Sequence, residues 1–474
     1  MPSQIGNDLI RMTAREVLAH LNAGDISHAE VLDALEARVA AVDGAVNALP
    51  TLCFDRARAH AAKIAALPVA ERGILGGLPV PIKDLEAVAG VRSTQGSPIY
   101  GDHVPAASGW IVERIEAQGG VVYAKSNTPE FGAGASTFNA VFGRTRNPWN
   151  LSRSVAGSSG GAAAALASGQ AWLAQGSDMG GSLRNPASFC GVVGLRPAPG
   201  RVPKGPGAEP FASLSVNGPM ARNVGDLGLL LDAMAGPDRR DPRAQPGNSG
   251  FRASAEAPTV PRRVAFSRDL GITPVDPEVA AICEAAARRF EAMGATVEEA
   301  QPDLEGAHEA FQTLRAVSFA TGHAIEYAEQ RDKLKPDVIW NIEKGLAVTG
   351  EQVARANRLR ARLVANMAAF FDSFDLLLSP ATIVAPFPVG ERTVMQCDGQ
   401  AFESYIDWLA IAFAVTLTSA PALSLPCGFT QGGLPVGLQM VGPLRSEGPL
   451  LSHAAALEAE LGLDLGPIDP REGA

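Results

Sequence analysis

The 474-residue chain is poor in the residues that organise metal centres and disulfide frameworks. Its five cysteines (Cys53, Cys190, Cys283, Cys397 and Cys427) are odd in number, scattered, and include no C-x-x-C pair. That argues against a disulfide scaffold and for buried thiols in a reducing compartment. The seven histidines form no H-x-H or H-E-x-x-H cluster, so no metal is expected. Lys and Arg total 40 against 50 Asp and Glu, a formal charge of −10, and no basic block stands out. Neither nucleic acid nor an anionic membrane surface is therefore an expected partner. No run of about 18 consecutive apolar residues is present to span a bilayer. The opening "MPSQIGNDLIRMTAREVL" also lacks the basic-then-apolar layout of a signal peptide. These absences predict a cytoplasmic protein.

With 46% hydrophobic and 19% charged residues, the chain has the composition of a folded protein with a large core. Thr13-Ala-Arg-Glu16 and Ser27-His-Ala-Glu30 read as capping boxes ahead of helical patterns, and 55–67 continues that helical start. From Leu78 the texture changes. Short apolar runs such as "GGVVYAKS" and "VVGLRP" read as buried strands of a mixed α/β sheet. The segment 236–262, rich in Pro, Gly, Ser and Arg, reads as an exposed connection. Beyond it come a strand in "RRVAFSRD", amphipathic helices over 277–294 and 350–371, and a strand in "FDLLLSP". The C-terminal part reads as strand, turn, strand and a closing helix near 447–461. Sheet signals at both ends of a helical middle predict one large α/β domain with an insertion.

The stretch from Val155 to Gly191 is crowded with Gly, Ala and Ser. "GSSGG" has no G-K-[ST] after it and no G-x-G-x-x-G, so a phosphate cradle is excluded. Gly157-Ser158-Ser159-Gly160-Gly161 does satisfy G-x-S-x-G, a nucleophile elbow centred on Ser159. An α/β-hydrolase-type esterase would then draw a histidine from His308, His323 or His453, none of which has a distinctive setting. A third reading starts from "GSDMGGSLRNP". Met179-Gly180-Gly181 offers backbone that bends tightly and aims N–H groups at one point, as an oxyanion hole requires, with Ser182 as nucleophile. The base for it is Lys83, at the end of the apolar run "GLPVPIKD". A lysine of ordinary pKa near 10.4 is about one part in a thousand neutral near pH 7.4, and burial lowers that pKa. The competing reading is that Lys83 snorkels at a strand end or pairs with Asp84.

"GLPVPIKD", "GSSGGAAAALASG" and "GSDMGGSLRNPASFCGVVGLRPAPGRVP" together resemble the amidase signature family. Its patterns are a lysine in "PVxxKD", a first serine in "GGSSGG" and a second in "GTDxGGSxRxPAxxCGxxGLKP". "GGVVYAKSNTPEF", "NPWN" and "PALSLPCGFTQGGLPVGLQMVGP" are also similar to it. The likeness runs from roughly residue 70 to the C-terminus and is weakest over 236–370. It implies one amidase signature domain: an N-terminal helical part (1–69), a catalytic core (70–235), a variable, largely helical part (236–370) and a C-terminal return to the sheet (371–474). The resemblance further implies amide hydrolysis by a Ser-Ser-Lys triad without a cofactor. Ser182 would be the acyl nucleophile, Ser158 a bridge preceded by a cis peptide bond, and Lys83 the neutral general base. Met179, Gly180, Gly181 and Ser182 would supply the oxyanion hole. Ser159 would support them, and Asp178 and Arg184 would hold the loop. Ala156 stands where the pattern has glycine, and Ser177 where it has threonine.

The resemblance implies a small-molecule amide as substrate and is compatible with a homodimer. In the family the segment after "NTPEF" runs along the acyl pocket. Here Phe131 precedes Gly132-Ala133-Gly134-Ala135, almost without side chains, which reads either as space beside Ser182 or as tight backbone packing. Phe131, Phe138, Trp340, Tyr405 and Trp408 are candidate apolar walls. A roomy apolar pocket suits a bulky or aromatic amide, anilide or carbamate. The alternative is the glutamine-hydrolysing component of an amidotransferase.

Overall fold

Both capping boxes form and set the N-terminal helices. The Thr13 hydroxyl accepts the Glu16 N–H while the Glu16 carboxylate accepts the Thr13 N–H at 2.7 Å, opening α1 (Ala14–Ala23). Ser27 and Glu30 repeat this at α2 (His28–Val46), whose Val31, Leu32, Leu35, Val39 and Val42 recur at helical spacing and are buried. The computed structural model describes residues 9–205, 209–246 and 250–472.

After β1 (Thr51–Leu52) and α3 (Phe54–Ala65), the apolar run at Leu78 leads to β2 (Ile82–Lys83). Then follow α4 (Trp110–Ala117) and β3 (Ala124–Ser126). β3 pairs antiparallel with β1 and parallel with β2 in a three-stranded sheet of their own. The "GGVVYAKS" run is thus a buried strand as expected, but it lies outside the main sheet. The small sheet is tied to the main one where the Gln175 N–H donates to the Pro81 carbonyl at 3.2 Å. Two short hairpins come next, β4 (Phe138–Asn139) with β5 (Gly143–Arg144), and β6 (Arg146–Asn147) with β7 (Asn150–Ser154).

The main sheet begins after α5 (Gly160–Ala167). Its strands are β8 (Leu173–Asp178), β9 (Val193–Arg196), β10 (Val216–Ala221), β11 (Arg263–Phe266), β12 (Thr296–Glu299), β13 (Leu376–Pro380), β16 (Ala422–Phe429) and β17 (Pro435–Val441). A minor hairpin pairs β14 (Gln396–Cys397) with β15 (Gln400–Ala401). The order is β12-β11-β13-β17-β16-β9-β10-β8, parallel among β12, β11 and β13 and antiparallel elsewhere. This is the mixed sheet that the sequence predicts. Within 236–370 the expected strand in "RRVAFSRD" is β11, and β12, not expected, joins it at one edge of the sheet.

Helices cover this sheet. They are α6 (Arg184–Cys190), α7 (Val224–Met234), α8 (Phe251–Glu256), α9 (Pro277–Ala292), α10 (Ala307–Gln330), α11 (Pro336–Ala347), α12 (Gly350–Phe370), α13 (Ala410–Thr418) and α14 (Glu447–Leu461). α6 packs on β9, β16 and β17, and α10 packs with α11, α12 and α13. The expected exposed connection at 236–262, of which 247–249 lie outside the described residues, is exposed in part and anchored in part. The Asp232 carboxylate accepts the N–H groups of Gly250, Phe251 and Arg252, and Asp241, Gln245, Phe251 and Ala255 are buried. Among the described residues no helix is long and apolar enough to cross a membrane.

α5 consists of Gly, Ala and one Leu, and every residue of it is buried. Its size limit is steric. A Cβ on Gly161 would lie 2.3 Å from the Asn127 nitrogen and 2.7 Å from the carbonyl oxygens of Ala48 and Asn127. Those atoms are backbone and cannot swing away. Gly161→Ala is expected to destabilise the fold by about 1–3 kcal/mol, the usual cost of overpacking, read as a lowered denaturation midpoint.

Candidate active site

Three loops converge on one amine. Lys83 ends β2, Ser158 and Ser159 occupy the turn between β7 and α5, and Ser182 sits between β8 and α6. The Lys83 Nζ lies 2.7 Å from Ser158 Oγ, 2.9 Å from Ser159 Oγ and 3.1 Å from Ser177 Oγ. The Gly157–Ser158 peptide bond is cis. The Ser159 N–H donates to the Ser182 carbonyl at 3.2 Å, and Ser159 Oγ donates to the Ser177 carbonyl at 3.2 Å, which fixes the two serine turns against each other. Ser182 is half-buried, and among the described residues its hydroxyl has no hydrogen-bond partner, Ser158 included.

The proposed pairing of Lys83 with Asp84 does not form. Asp84 is taken by Lys125, whose Nζ is 2.7 Å from Oδ1, and by the hydroxyl and N–H of Thr94. Sequence reasoning passed over Lys125. Its only signal was a second lysine in an apolar strand run, "VVYAKS". Lys83 is left fully buried without a carboxylate in contact. Burial pushes its amine down from 10.5 to about 7; Asp178 and Glu86 oppose the shift and Lys204 adds to it.

Asp178 and Arg184 are wholly buried and pair through Oδ1–Nη2 at 3.0 Å and Oδ2–Nε at 3.1 Å. Arg196 adds a contact at 3.4 Å to Asp178 Oδ1 and donates to the Asp178 carbonyl at 2.7 Å. Burial by itself would raise the Asp178 carboxyl, but the two guanidiniums hold it well below the usual carboxylate range. Asp178 also accepts the N–H groups of Gly181 at 3.0 Å and Leu183 at 3.1 Å. That shapes the turn and alters the expected donor set. The Gly181 N–H is already committed, whereas no acceptor among the described residues takes the N–H groups of Met179, Gly180 or Ser182. Gly181 has φ +105, and a Cβ there would meet Asn185 Oδ1 at 2.4 Å.

The segment after "NTPEF" resolves toward tight packing. A Cβ on Gly132 (φ +69) would lie 3.1 Å from Leu85 Cδ1 and 3.5 Å from Ser158 Oγ, and one on Gly134 (φ +106) 3.0 Å from Lys335 Nζ. Lys335 donates to the Ala133 carbonyl at 2.7 Å, and its N–H goes to buried Glu130 at 2.7 Å. Phe131 adopts a left-handed conformation (φ 51) and stacks on His323 with ring centres 4.2 Å apart. It lines a cavity of about 560 Å³ together with Leu85, Ser177, Met179 and Phe319. Phe138 lies instead between Lys335, Arg144 and Arg392. Trp340 and Tyr405 pack on each other, and Trp408 packs on Phe189 and Phe387, all outside that cavity. The cavity is also less apolar than expected, since Glu86, Lys204 and Arg360 stand on its wall.

The elbow reading fails on geometry. β7 belongs to a two-stranded hairpin rather than the main sheet, and the Ser159 hydroxyl is spent on Lys83 and Ser177. His308 lies near Ile272 and Asp407, His323 near Glu326, and His453 near Thr259; none reaches a serine of the site.

Fold and site together are those of hydrolases acting on amide carbon–nitrogen bonds. A bacterial aryl acylamidase of the amidase signature enzymes superposes with a TM-score of 0.88 at 27% identity, covering 95% of this chain and 96% of that one. A 6-aminohexanoate cyclic dimer hydrolase, solved with substrate, gives 0.87 at 29% identity over 96% and 98%. The family model described as Amidase matches residues 30–451, and the chain belongs to the amidase signature family. The acylamidase of Rhodococcus erythropolis is 35% identical over 454 residues, 94% of this chain and 95% of that protein. A component of the glutamyl-tRNA(Gln) amidotransferase of Moorella thermoacetica is 36% identical over 479 residues, 95% of this chain and 97% of that protein.

Two consequences are measurable. The folded-state value of Lys83 lies below the unfolded one, so its burial costs nothing above about 10.5 and costs most below about 7. Lys83→Met removes that cost. The stability of the wild type relative to this variant should rise as pH goes from 7 to 10 in denaturant titrations; a flat difference would show an amine of ordinary pKa. Separately, Ala156 has φ 56, a left-handed conformation that suits glycine. Ala156→Gly is expected to stabilise the chain by about 1 kcal/mol in the same assay.

Proposed function

We propose that the chain hydrolyses a bulky or aromatic amide, anilide or carbamate through Lys83, Ser158 and Ser182. The observation that carries this reading is the Lys83 amine, buried with a value of about 7 and 2.7 Å from Ser158 Oγ. A neutral amine has two N–H groups and one lone pair. Ser159 Oγ already donates to a carbonyl, so it accepts from Lys83. With Ser177 Oγ, at 3.1 Å, accepting the second N–H, the lone pair is left for the Ser158 hydroxyl.

The proton path follows. Ser182 Oγ passes its proton to Ser158 Oγ, Ser158 passes its own to Lys83, and Ser182 attacks the carbonyl carbon. The Ser182 hydroxyl has no competing partner among the described residues, so it is free to turn toward Ser158 when substrate enters; such bonds commonly tighten only in the complex. The oxyanion is received by the N–H groups of Met179, Gly180 and Ser182, while Gly181 holds the turn to Asp178. An amine leaves only once protonated, and Ser158, re-supplied by Lys83, returns the proton. Water then frees Ser182 from the acyl group by the same relay.

The aromatic preference rests on the stacked Phe131 and His323 and on Phe319 and Met179 beside them. The names of two relatives, acylamidase and aryl acylamidase, support it. Relatives named as components of a glutamyl-tRNA(Gln) amidotransferase favour glutamine hydrolysis as the second reading. A panel of anilides, aliphatic amides, carbamates and glutamine separates the two. Ser182→Ala should abolish turnover of whichever substrate is cleaved, and Lys83→Ala should lower it roughly 10²- to 10⁴-fold. In the wild type, kcat/KM should climb with pH through about 7 as Lys83 loses its proton. Near-normal turnover by Lys83→Ala, or loss in Ser159→Ala with retention in Ser182→Ala, would refute the mechanism.

A further inference from the structure

The cavity that Phe131 lines also carries two cations with no carboxylate within 4 Å among the described residues. Arg360, on α12, donates from Nε to the Leu417 carbonyl at 3.1 Å and from Nη2 to Ser213 Oγ at 2.6 Å and Ser419 Oγ at 3.4 Å. All three acceptors are neutral, and Nη1 has no acceptor among the described residues. Lys204 Nζ reaches Ser215 Oγ at 2.8 Å and no other described side chain. Among the described residues no carboxylate stands within 4 Å of either. Their neighbours are treated differently. Arg196 is balanced by Asp178, and Arg243 is held by Asp241 at 3.2 Å.

Two carboxylates also line the cavity; both act on Lys204 from beyond 4 Å, and neither acts on Arg360. Glu209 accepts the Ser318 hydroxyl at 2.5 Å, and Glu86 lies beside Leu85, three residues past Lys83. Arg360 is half-buried, burial lowers its pKa, and nothing opposes that shift; Lys204 stands exposed at the cavity. A half-buried cation without a partner is costly, and an anion entering beside Arg360 relieves that cost. The guanidinium fork and the hydroxyls of Ser213 and Ser215 match a carboxylate in geometry. The cavity borders the serine turn through Ser177 and Met179. Ser213 O accepts from Arg196 Nη2 at 3.3 Å, and Arg196 Nη1 donates to the carbonyl of Asp178, at the root of the serine turn.

We infer that Arg360 and Lys204 form an anion subsite of the substrate cavity, so that the preferred substrate is an amide bearing a carboxylate remote from its scissile bond. This rests on the amide-hydrolase reading of the same cavity. The test uses matched pairs: the 4-nitroanilide of glutaric acid against that of pentanoic acid, and N-acetyl-4-aminobenzoate against acetanilide. The first pair places the carboxylate on the acyl half and the second on the amine half. The wild type should favour the carboxylate member of at least one pair by about tenfold or more in kcat/KM. Arg360→Gln should lower that ratio by about tenfold or more, mainly through KM, and Lys204→Gln should lower it too. Arg360→Lys should restore part of it. An unchanged ratio in both Gln variants, or preference for the uncharged member of both pairs, overturns the subsite while leaving amide hydrolysis standing. If no anilide is cleaved, the hydrolytic reading fails on its own. The subsite is then judged by calorimetric titration of Ser182→Ala with glutaric acid mono-4-nitroanilide. The Arg360→Gln change in that background must weaken binding about tenfold or more, and equal binding overturns the subsite.

Discussion

A lysine amine held out of water without a carboxylate in contact is the constraint around which this chain is arranged. Lys83 has three hydroxyls for company because Lys125 occupies the one acid that adjoins it in sequence, Asp84. The division of labour between the two lysines is the electrostatic core of the site. One is paired with Asp84, and the other, without a carboxylate in contact, is pushed down to about 7 by burial.

A second buried centre gives the serine turn its shape. Asp178 receives two guanidiniums and two backbone N–H groups, and Arg184 continues outward to the Ala412 carbonyl, Thr416 and Gln439. Through these bonds the ends of β8, α6, α13 and β17 share one network. Such a fully satisfied network trades desolvation for definition of geometry. Here the geometry it defines is a turn with two N–H groups engaged by Asp178, those of Gly181 and Leu183, and three, those of Met179, Gly180 and Ser182, without an acceptor among the described residues.

Much of the fold was legible in the sequence because its signals are local. The capping boxes at Thr13 and Ser27 and the closing helix at 447–461 depend on neighbours a few residues apart. The strand pairing was not legible. "GGVVYAKS" has the apolar character of any central strand, and only long-range register assigns it to a separate small sheet. The segment 236–262 has loop composition, yet one carboxylate, Asp232, holds its residues 250–252. In the site, Lys83 and the serines were found from their blocks. Lys125, Arg360 and Lys204 were not, since an isolated basic residue in sequence says nothing of whether an acid will meet it. The replacement at Ala156 is conservative in volume and not in backbone conformation, a distinction that requires φ.

The cavity is bounded by two kinds of element. Leu85, Phe131, Ser177 and Met179 come from the segments beside Lys83 and the serine turn, and Ser213, Ser215, Phe319, Val353 and Arg360 from the connection before β10 and the helices α10 and α12. Exchanges along α10 and α12 can therefore reshape the cavity without disturbing a hydrogen bond of Lys83, so its lining is free to diverge faster than the lysine's surroundings.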